Sequence, residues 1–339
     1  MNQPLVSIII SCHNRAHLLP KTMESIFAQS YRPVEIVAVD DGSTDETPKL
    51  MKTYGDKIRY ARQENKGVAA ARTTGGRLAR GEFIAFQDDD DLMAPDRIHH
   101  LIDGFKKYPK AVLSVGDYAF LDPKGNLTGE KSQFQIQEGL TDPIEKPILI
   151  EDGYSAVLWP KLTPLPHTTL FRRKHGEILD WFDPYFFYAC SDTDFFARLS
   201  RLGPIVYVPK IVSYYRFGHS SIWNEKLPAV YSRFLLFEKH IKSVDDKQSL
   251  LLKRLRYRLR ETLKHMIILG RQESSNYKFP NNLFKRGRLL LSTSDLLNVK
   301  LYATCIAPIR ERFLGSKFDT SFMNYLLTKI SRNSTEGKK

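Results

Sequence analysis

The sequence predicts an α/β protein: a mostly parallel sheet with flanking helices, followed by a basic, mainly helical C-terminal region. Three observations carry this expectation. Apolar, β-branched runs alternate four times with helical periodicity before residue 87, the pattern of parallel strands joined by crossover helices. Carboxylates cluster directly behind two of these runs, and ligands of such sheets bind beyond the carboxyl ends of the strands. Charge is split, with 27 Lys+Arg against 28 Asp+Glu in residues 1–221 and 24 against 10 in residues 222–339. That shift places a domain boundary near residues 222–228.

The elements follow in order. Residues 6–11 form an apolar strand, and residues 16–29 carry Leu18, Leu19, Met23, Ile26 and Phe27 at helical spacing. Residues 34–39 form the second strand, and the polar turn from Asp40 to Asp45 offers caps for a helix at 47–54. A strand at 58–61, an Ala-rich helix at 67–79 despite Gly75 and Gly76, and a strand at 82–86 lead into Asp88-Asp89-Asp90-Asp91. Beyond lie a helix at 96–108, a strand at 111–118, Pro- and Gly-rich loops at 122–147, a strand at 168–172, a helix at 192–202 and strands at 205–208 and 211–216. Leu251, Leu255, Leu259, Leu263 and Ile267 recur every fourth residue in an amphipathic helix with a basic opposite face.

With 339 residues, 42% apolar and 26% charged, the chain can bury a core, which excludes disorder, collagen-like repeats and a disulfide scaffold as global descriptions. Cys12, Cys190 and Cys305 form no zinc or CxxC pattern and suit a reducing compartment. No run approaches the roughly 20 apolar residues that span a bilayer, and the N-terminus lacks a secretory pattern, so the expected location is the cytosol.

Four consecutive carboxylates repel one another, and a cation relieves the repulsion; hard oxygen ligands select Mg²⁺ or Mn²⁺. In an extended segment Asp88 and Asp90 share one face and Asp89 and Asp91 the other. A solvated acidic turn or helix cap is the competing reading, and Asp40-Asp41-Gly42-Ser43-Thr44-Asp45 is equally readable as a turn and cap. Cys12-His13-Asn14-Arg15 closes the first strand with groups suited to base and phosphate contacts, although Asn14 also suits a helix cap.

Val6-Ser-Ile-Ile-Ile-Ser-Cys-His-Asn-Arg15, Glu35-Ile-Val-Ala-Val-Asp-Asp-Gly-Ser-Thr-Asp45, Asn65-Lys-Gly-Val-Ala-Ala-Ala-Arg72 and Gly81-Glu-Phe-Ile-Ala-Phe-Gln-Asp-Asp-Asp-Asp91 together resemble the inverting glycosyltransferases of family 2, over about residues 5–221. The resemblance implies the GT-A fold, with a nucleotide-binding half at 1–110 and an acceptor half at 111–221. It implies a nucleotide-sugar donor, UDP-linked, held by Ser11, His13, Asn14, Arg15, Asp40, Asp41, Arg72, Asp88 and Asp89. Asp40 resembles the uracil-binding aspartate. Asp88-Asp89-Asp90 stands at the Asp-X-Asp position, where the last carboxylate binds Mn²⁺ or Mg²⁺ on the diphosphate; the family usually has a small residue where Asp89 stands.

Ser191-Asp192-Thr193-Asp194 resembles the family's Glu-Asp-X-Asp segment with serine in place of glutamate, which makes Asp192 the expected general base. A capping pair is the competing local reading. Tyr214 to Ser221 is similar to a closing segment in which His219 binds metal or phosphate, and residues 166–172 to a strand on the acceptor side. The implied acceptor is a saccharide or lipid-linked saccharide, in bacterial surface polysaccharide assembly. For the basic helix three fates stay open: packing on the protein, attraction to an anionic membrane surface at about 1 kcal/mol per basic residue near it, and nucleic acid, which no binding motif supports. A nucleotidyltransferase would carry a Gly-rich basic loop after the first strand, where Asn14-Arg15-Ala16 stands, and the non-enzymatic alternative is a degenerate binding module.

Overall fold

Strand β1 (Val6–Cys12) is buried along its whole length because it lies between β2 (Val34–Asp41) and β4 (Phe83–Asp88), both parallel to it. The computed structural model describes residues 3–130, 144–159, 161–186, 189–216, 226–244 and 249–272. The chain separates into two compact units, Met1–Ser221 and Ile222–Lys339.

The first unit is a mixed sheet in the order β3-β2-β1-β4-β9-β6-β10-β5. β3 (Arg59–Gln63) runs parallel to β2, so β3, β2, β1 and β4 form a parallel block. β9 (Thr169–Arg172) enters antiparallel to β4 and to β6 (Leu113–Leu121). β10 (Ile205–Arg216) runs parallel to β6, and the short β5 (Leu92–Met93) pairs antiparallel with it. β7 (Leu127–Glu130) and β8 (Ile148–Ile150) flank β6 and β10. β10 is one strand where two were expected; its register on β6 shifts between Val208 and Ile211, around Pro209, which has no N–H for the ladder.

Helices α1 (Leu19–Phe27), α2 (Thr47–Thr53), α3 (Val68–Leu78) and α4 (Arg97–Lys107) connect the parallel strands and lead on to β6. α1 buries Leu19, Met23 and Ile26, and α4 buries Ile98, Leu101, Ile102 and Phe105, in one core with Val6, Ile8 and Ile10. The two glycines inside α3 mark close approach: a Cβ at Gly75 would lie 2.3 Å from Ile9 Cγ2, and one at Gly76 would lie 2.4 Å from the Trp181 ring. Trp181 is therefore core, packed edge-on to Phe171. Short helices α5 (Gly153–Leu158), α6 (Arg173–Ile178) and α7 (Ser191–Leu199) complete the unit.

In the second unit α8 (Lys226–Ser243) packs against α9 (Ser249–Gln272). Leu251, Leu255, Leu259 and Leu263 are buried, so the apolar stripe of α9 is occupied by packing, with Lys253 exposed on another face. Ile267 has no described side chain. Among the described residues no helix is long and apolar enough to cross a membrane.

Candidate active site

Parallel register brings three strand ends level: Cys12 of β1 faces Asp40 of β2, and Ser11 faces Asp88 of β4. At the β2 end the two carboxylates differ. Asp40, fully buried, accepts from the Ser43 backbone N–H at 2.8 Å and the Tyr60 hydroxyl at 2.8 Å, with Arg62 Nε at 3.4 Å. Asp40 Oδ1 thus holds the turn at Gly42, whose φ of 77° is left-handed, and Oδ2 ties it to β3. Asp41 Oδ1 accepts from Gln63 Nε2 at 2.7 Å and the Lys66 N–H at 3.0 Å, and its other oxygen has no hydrogen bond among the described residues.

The β1 end is locked to that turn. Asn14, at a φ of 52°, accepts through Oδ1 from the Thr44 and Asp45 N–H groups at 2.8 and 3.3 Å, so it caps the β2 turn. Helix α1 accordingly starts at Leu19, and Asp45 Oδ2 accepts from the Ala16 N–H instead. His13 Nδ1 donates to the Asp41 carbonyl at 2.8 Å, which leaves Nε2 to accept from Asn14 at 3.2 Å and Asn65 at 3.3 Å. Burial pushes the Cys12 thiol up, away from the thiolate form.

At the β4 end, by contrast, the charge is concentrated. Arg72 Nη2 donates to Asp88 Oδ1 at 2.5 Å. Arg15 lies 3.8 Å from Asp89 and 3.9 Å from Asp90, and the His13 N–H donates to Asp89 at 3.1 Å. Burial, and then the Asp90 charge, still raise the Asp89 and Asp91 carboxyls well above the usual range. Asp91 is buried; its Oδ1 accepts from the Arg216 N–H at 3.0 Å, while Oδ2 has no hydrogen bond and lies 3.3 Å from His167 Nδ1.

Asp88, Asp91 and His167 each offer a ligand atom, all within 4.8 Å of one another. Burial holds His167 near a pKa of about 4, hence neutral. Its Nδ1 donates to Ser213 Oγ at 2.8 Å, since that hydroxyl is itself committed to the Leu92 carbonyl at 3.1 Å, and Nε2 keeps a lone pair. Two carboxylates, one of them with an orphaned buried oxygen, and a neutral imidazole fit a divalent cation. Asp90, the metal ligand expected from the sequence, stands outside this trio beside Arg15, and His219 lies outside the described residues.

Asp192 is half-buried in the first turn of α7, behind the left-handed Cys190. Burial raises its pKa, the Arg72 charge opposes the rise, and Asp88 adds to it, so the three groups share one electrostatic neighbourhood. Asp194 differs: it is fully buried and pairs with Arg198 Nε at 2.8 Å, whose remaining nitrogens donate to the Leu179 and Trp181 carbonyls. It secures α7, whereas Asp192 Oδ1 accepts from the Thr193 N–H at 2.7 Å.

Sequence reasoning missed three supports. Arg97 is fully buried and donates to Gln87 Oε1, Phe86 O, Pro166 O and Thr169 O at 2.9 to 3.3 Å, fastening β4 to the turn that carries His167; burial brings its pKa down to about 9. Arg216 donates to the Asp90 carbonyl and, at 2.7 Å, to Thr22 Oγ1. Asp91 is the third. A run of four carboxylates demands nearby cations, and that demand was the available signal, without saying which arginines meet it.

The model of the family "Glycosyl transferase family 2" matches residues 7–176. A protein described as an uncharacterized glycosyltransferase of Rickettsia felis is 32% identical over 265 residues, covering 74% of this chain and 42% of its own length. The chain spans between about a third and two fifths of the curated relatives it matches first. Staphylococcus aureus TarS 1-349 in complex with UDP superposes with a TM-score of 0.58 at 17% identity, over 87% of this chain and 84% of that one. A mannosyltransferase from Pyrobaculum calidifontis in complex with GDP-Man and Mn²⁺ superposes at 0.56 and 16% identity, over 92% and 88%. At these identities the superpositions establish the fold.

Proposed function

The chain belongs to glycosyltransferase family 2, and from that membership we propose that it is an inverting enzyme moving a sugar from a nucleotide donor, UDP-linked, to a hydroxyl of a saccharide or lipid-linked saccharide. The observation that carries this reading is the crowding of four carboxylates at the β4 end, where Asp91 keeps a buried oxygen without a hydrogen bond, in one electrostatic neighbourhood with the half-buried Asp192. The fold neighbours bound to UDP, and to GDP-Man with Mn²⁺, support the donor class.

Ser11, His13, Asn14 and Arg15 line the nucleotide side. Asp40 shapes the turn, while Asp41 presents its unbonded oxygen to the base. Arg72 holds Asp88 towards the ribose and sugar. A divalent cation held by Asp90, or by Asp88, Asp91 and His167, would neutralise charge on the departing diphosphate. Asp192 accepts the proton of the acceptor hydroxyl as that oxygen bonds to the anomeric carbon and the bond to the diphosphate breaks, which inverts the configuration. Its raised pKa strengthens it as a base. We assign residues 1–221 to catalysis and residues 222–339 to a basic region that draws the enzyme to an anionic membrane surface by charge, since the apolar stripe of α9 is already buried. Bacterial surface polysaccharide assembly suits such an acceptor.

The test is turnover of a panel of UDP- and GDP-sugars with Mn²⁺, including hydrolysis without acceptor. Turnover that chelation abolishes and Asp192→Asn suppresses is expected; chelator-insensitive turnover, or none with any donor, contradicts the reading.

A further inference from the structure

On β6 and β10 the side chains of Tyr118, Phe120, Ser213 and Tyr215 fall on one face, because Tyr118 sits opposite Ser213, Phe120 sits opposite Tyr215, and residues two apart share a face. The three aromatic rings form a continuous group: Tyr118 to Phe120 is 5.1 Å, Tyr118 to Tyr215 is 6.2 Å and Phe120 to Tyr215 is 6.1 Å between centroids. His167 joins them, 5.6 Å from Tyr118 and 5.9 Å from Tyr215. Through His167 the group is continuous with Asp91 and the acidic centre. In the sheet order β6 and β10 lie beyond β4 and β9, on the side away from the β1 and β2 ends that carry the nucleotide-side groups.

A second aromatic group in the same unit shows what a core cluster looks like here. Phe86, Phe171, Phe182 and Phe195 carry no polar atom and are at most 3% exposed. The β6–β10 group has two phenol hydroxyls, a neighbouring carboxylate, and half-buried rings at Phe120 and Tyr215. Apolar ring faces rimmed by hydroxyl and carboxylate groups match a pyranose, which has C–H faces and a hydroxyl rim.

We propose that Phe120 and Tyr215, backed by the buried Tyr118, form a stacking wall for a pyranose ring, that of the transferred or of the receiving sugar, beside the acidic centre. The proposal rests on the glycosyltransferase reading above. Phe120→Leu and Tyr215→Leu test it, because leucine keeps apolar volume and removes the ring. UDP binding with Mn²⁺, measured by calorimetry, is expected to be the same in the parental protein and both variants. One arm then compares UDP-glucose and UDP-N-acetylglucosamine with UDP; the other follows saturation transfer to methyl α- and β-pyranosides of glucose, galactose and N-acetylglucosamine in the presence of UDP and Mn²⁺. A roughly three- to tenfold weakening in the first arm identifies the transferred sugar, and in the second the receiving one. Intact UDP binding with both arms unchanged, or with no sugar contribution in the parental protein, overturns the wall. Loss of UDP binding in the variants makes it a structural support and also overturns it. Absence of UDP binding in the parental protein defeats the glycosyltransferase reading itself.

Discussion

The β2 and β4 ends are both acidic, lie in one parallel block, and are built in opposite ways. At β2, Asp40 spends both oxygens on Ser43, Tyr60 and Arg62 and holds a turn. At β4, Asp91 keeps a buried oxygen without a hydrogen bond, and burial with the Asp90 charge pushes the Asp89 and Asp91 carboxyls up although Arg15 and Arg216 oppose the rise. Similar carboxylates therefore hold a turn in one place and crowd against one another in the other. Helix α7 carries two carboxylates within three residues, Asp194 paired with Arg198 and Asp192 in the electrostatic neighbourhood of Arg72 and Asp88.

The largest effect that sharpens this contrast is expected at Asp192. Asp192→Asn should lower transfer by about 10²- to 10⁴-fold while the melting temperature holds or rises, measured by donor turnover and calorimetry. Near-normal transfer would break the assignment of the base. Next come the β4 carboxylates. Asp90→Ala and Asp91→Asn should each weaken Mn²⁺-dependent turnover about 10- to 100-fold without loss of stability, and the larger loss identifies which carboxylate grips the ion. If both leave the Mn²⁺ dependence intact, the β4 end is not the cation site.

The scaffold carboxylates should respond the other way. Asp40→Asn and Asp194→Asn remove one partner of a buried polar network, and each should lower unfolding free energy by about 2 kcal/mol in urea titrations, less than for a fully buried pair because Arg62 and Arg198 keep some solvent contact. The smallest effect is in pH. Asp192 acts when deprotonated and its pKa is raised, so turnover should climb with pH through a midpoint above the ordinary aspartate value. Arg72 lowers that pKa, and Arg72→Gln should move the midpoint further up, read from kcat profiles. A downward move would contradict the electrostatic arrangement.

Much of this was legible in the chain itself. Alternation of apolar runs located β1, β2, β4 and α1 to α4, and the leucines of α9 recur every fourth residue, whereas α8 has no such regular stripe and was not singled out. The two strands expected at 205–208 and 211–216 are one, because a bulge around Pro209 lets the strand continue past a missing donor. Acidic strand ends were visible as residue types; their different states were not, since compensation comes from Tyr60, Arg62, His167 and Arg216, brought in by tertiary packing. The antiparallel entry of β9 likewise depends on pairing between distant segments.

Titration of the protein with UDP, with and without Mn²⁺, tests the central claim most directly. The crowding of carboxylates at the β4 end predicts UDP binding that needs Mn²⁺ and is weakened by substitution of Asp90 or Asp91. Equal UDP affinity in chelator, with both variants indistinguishable from the parental protein, would contradict it.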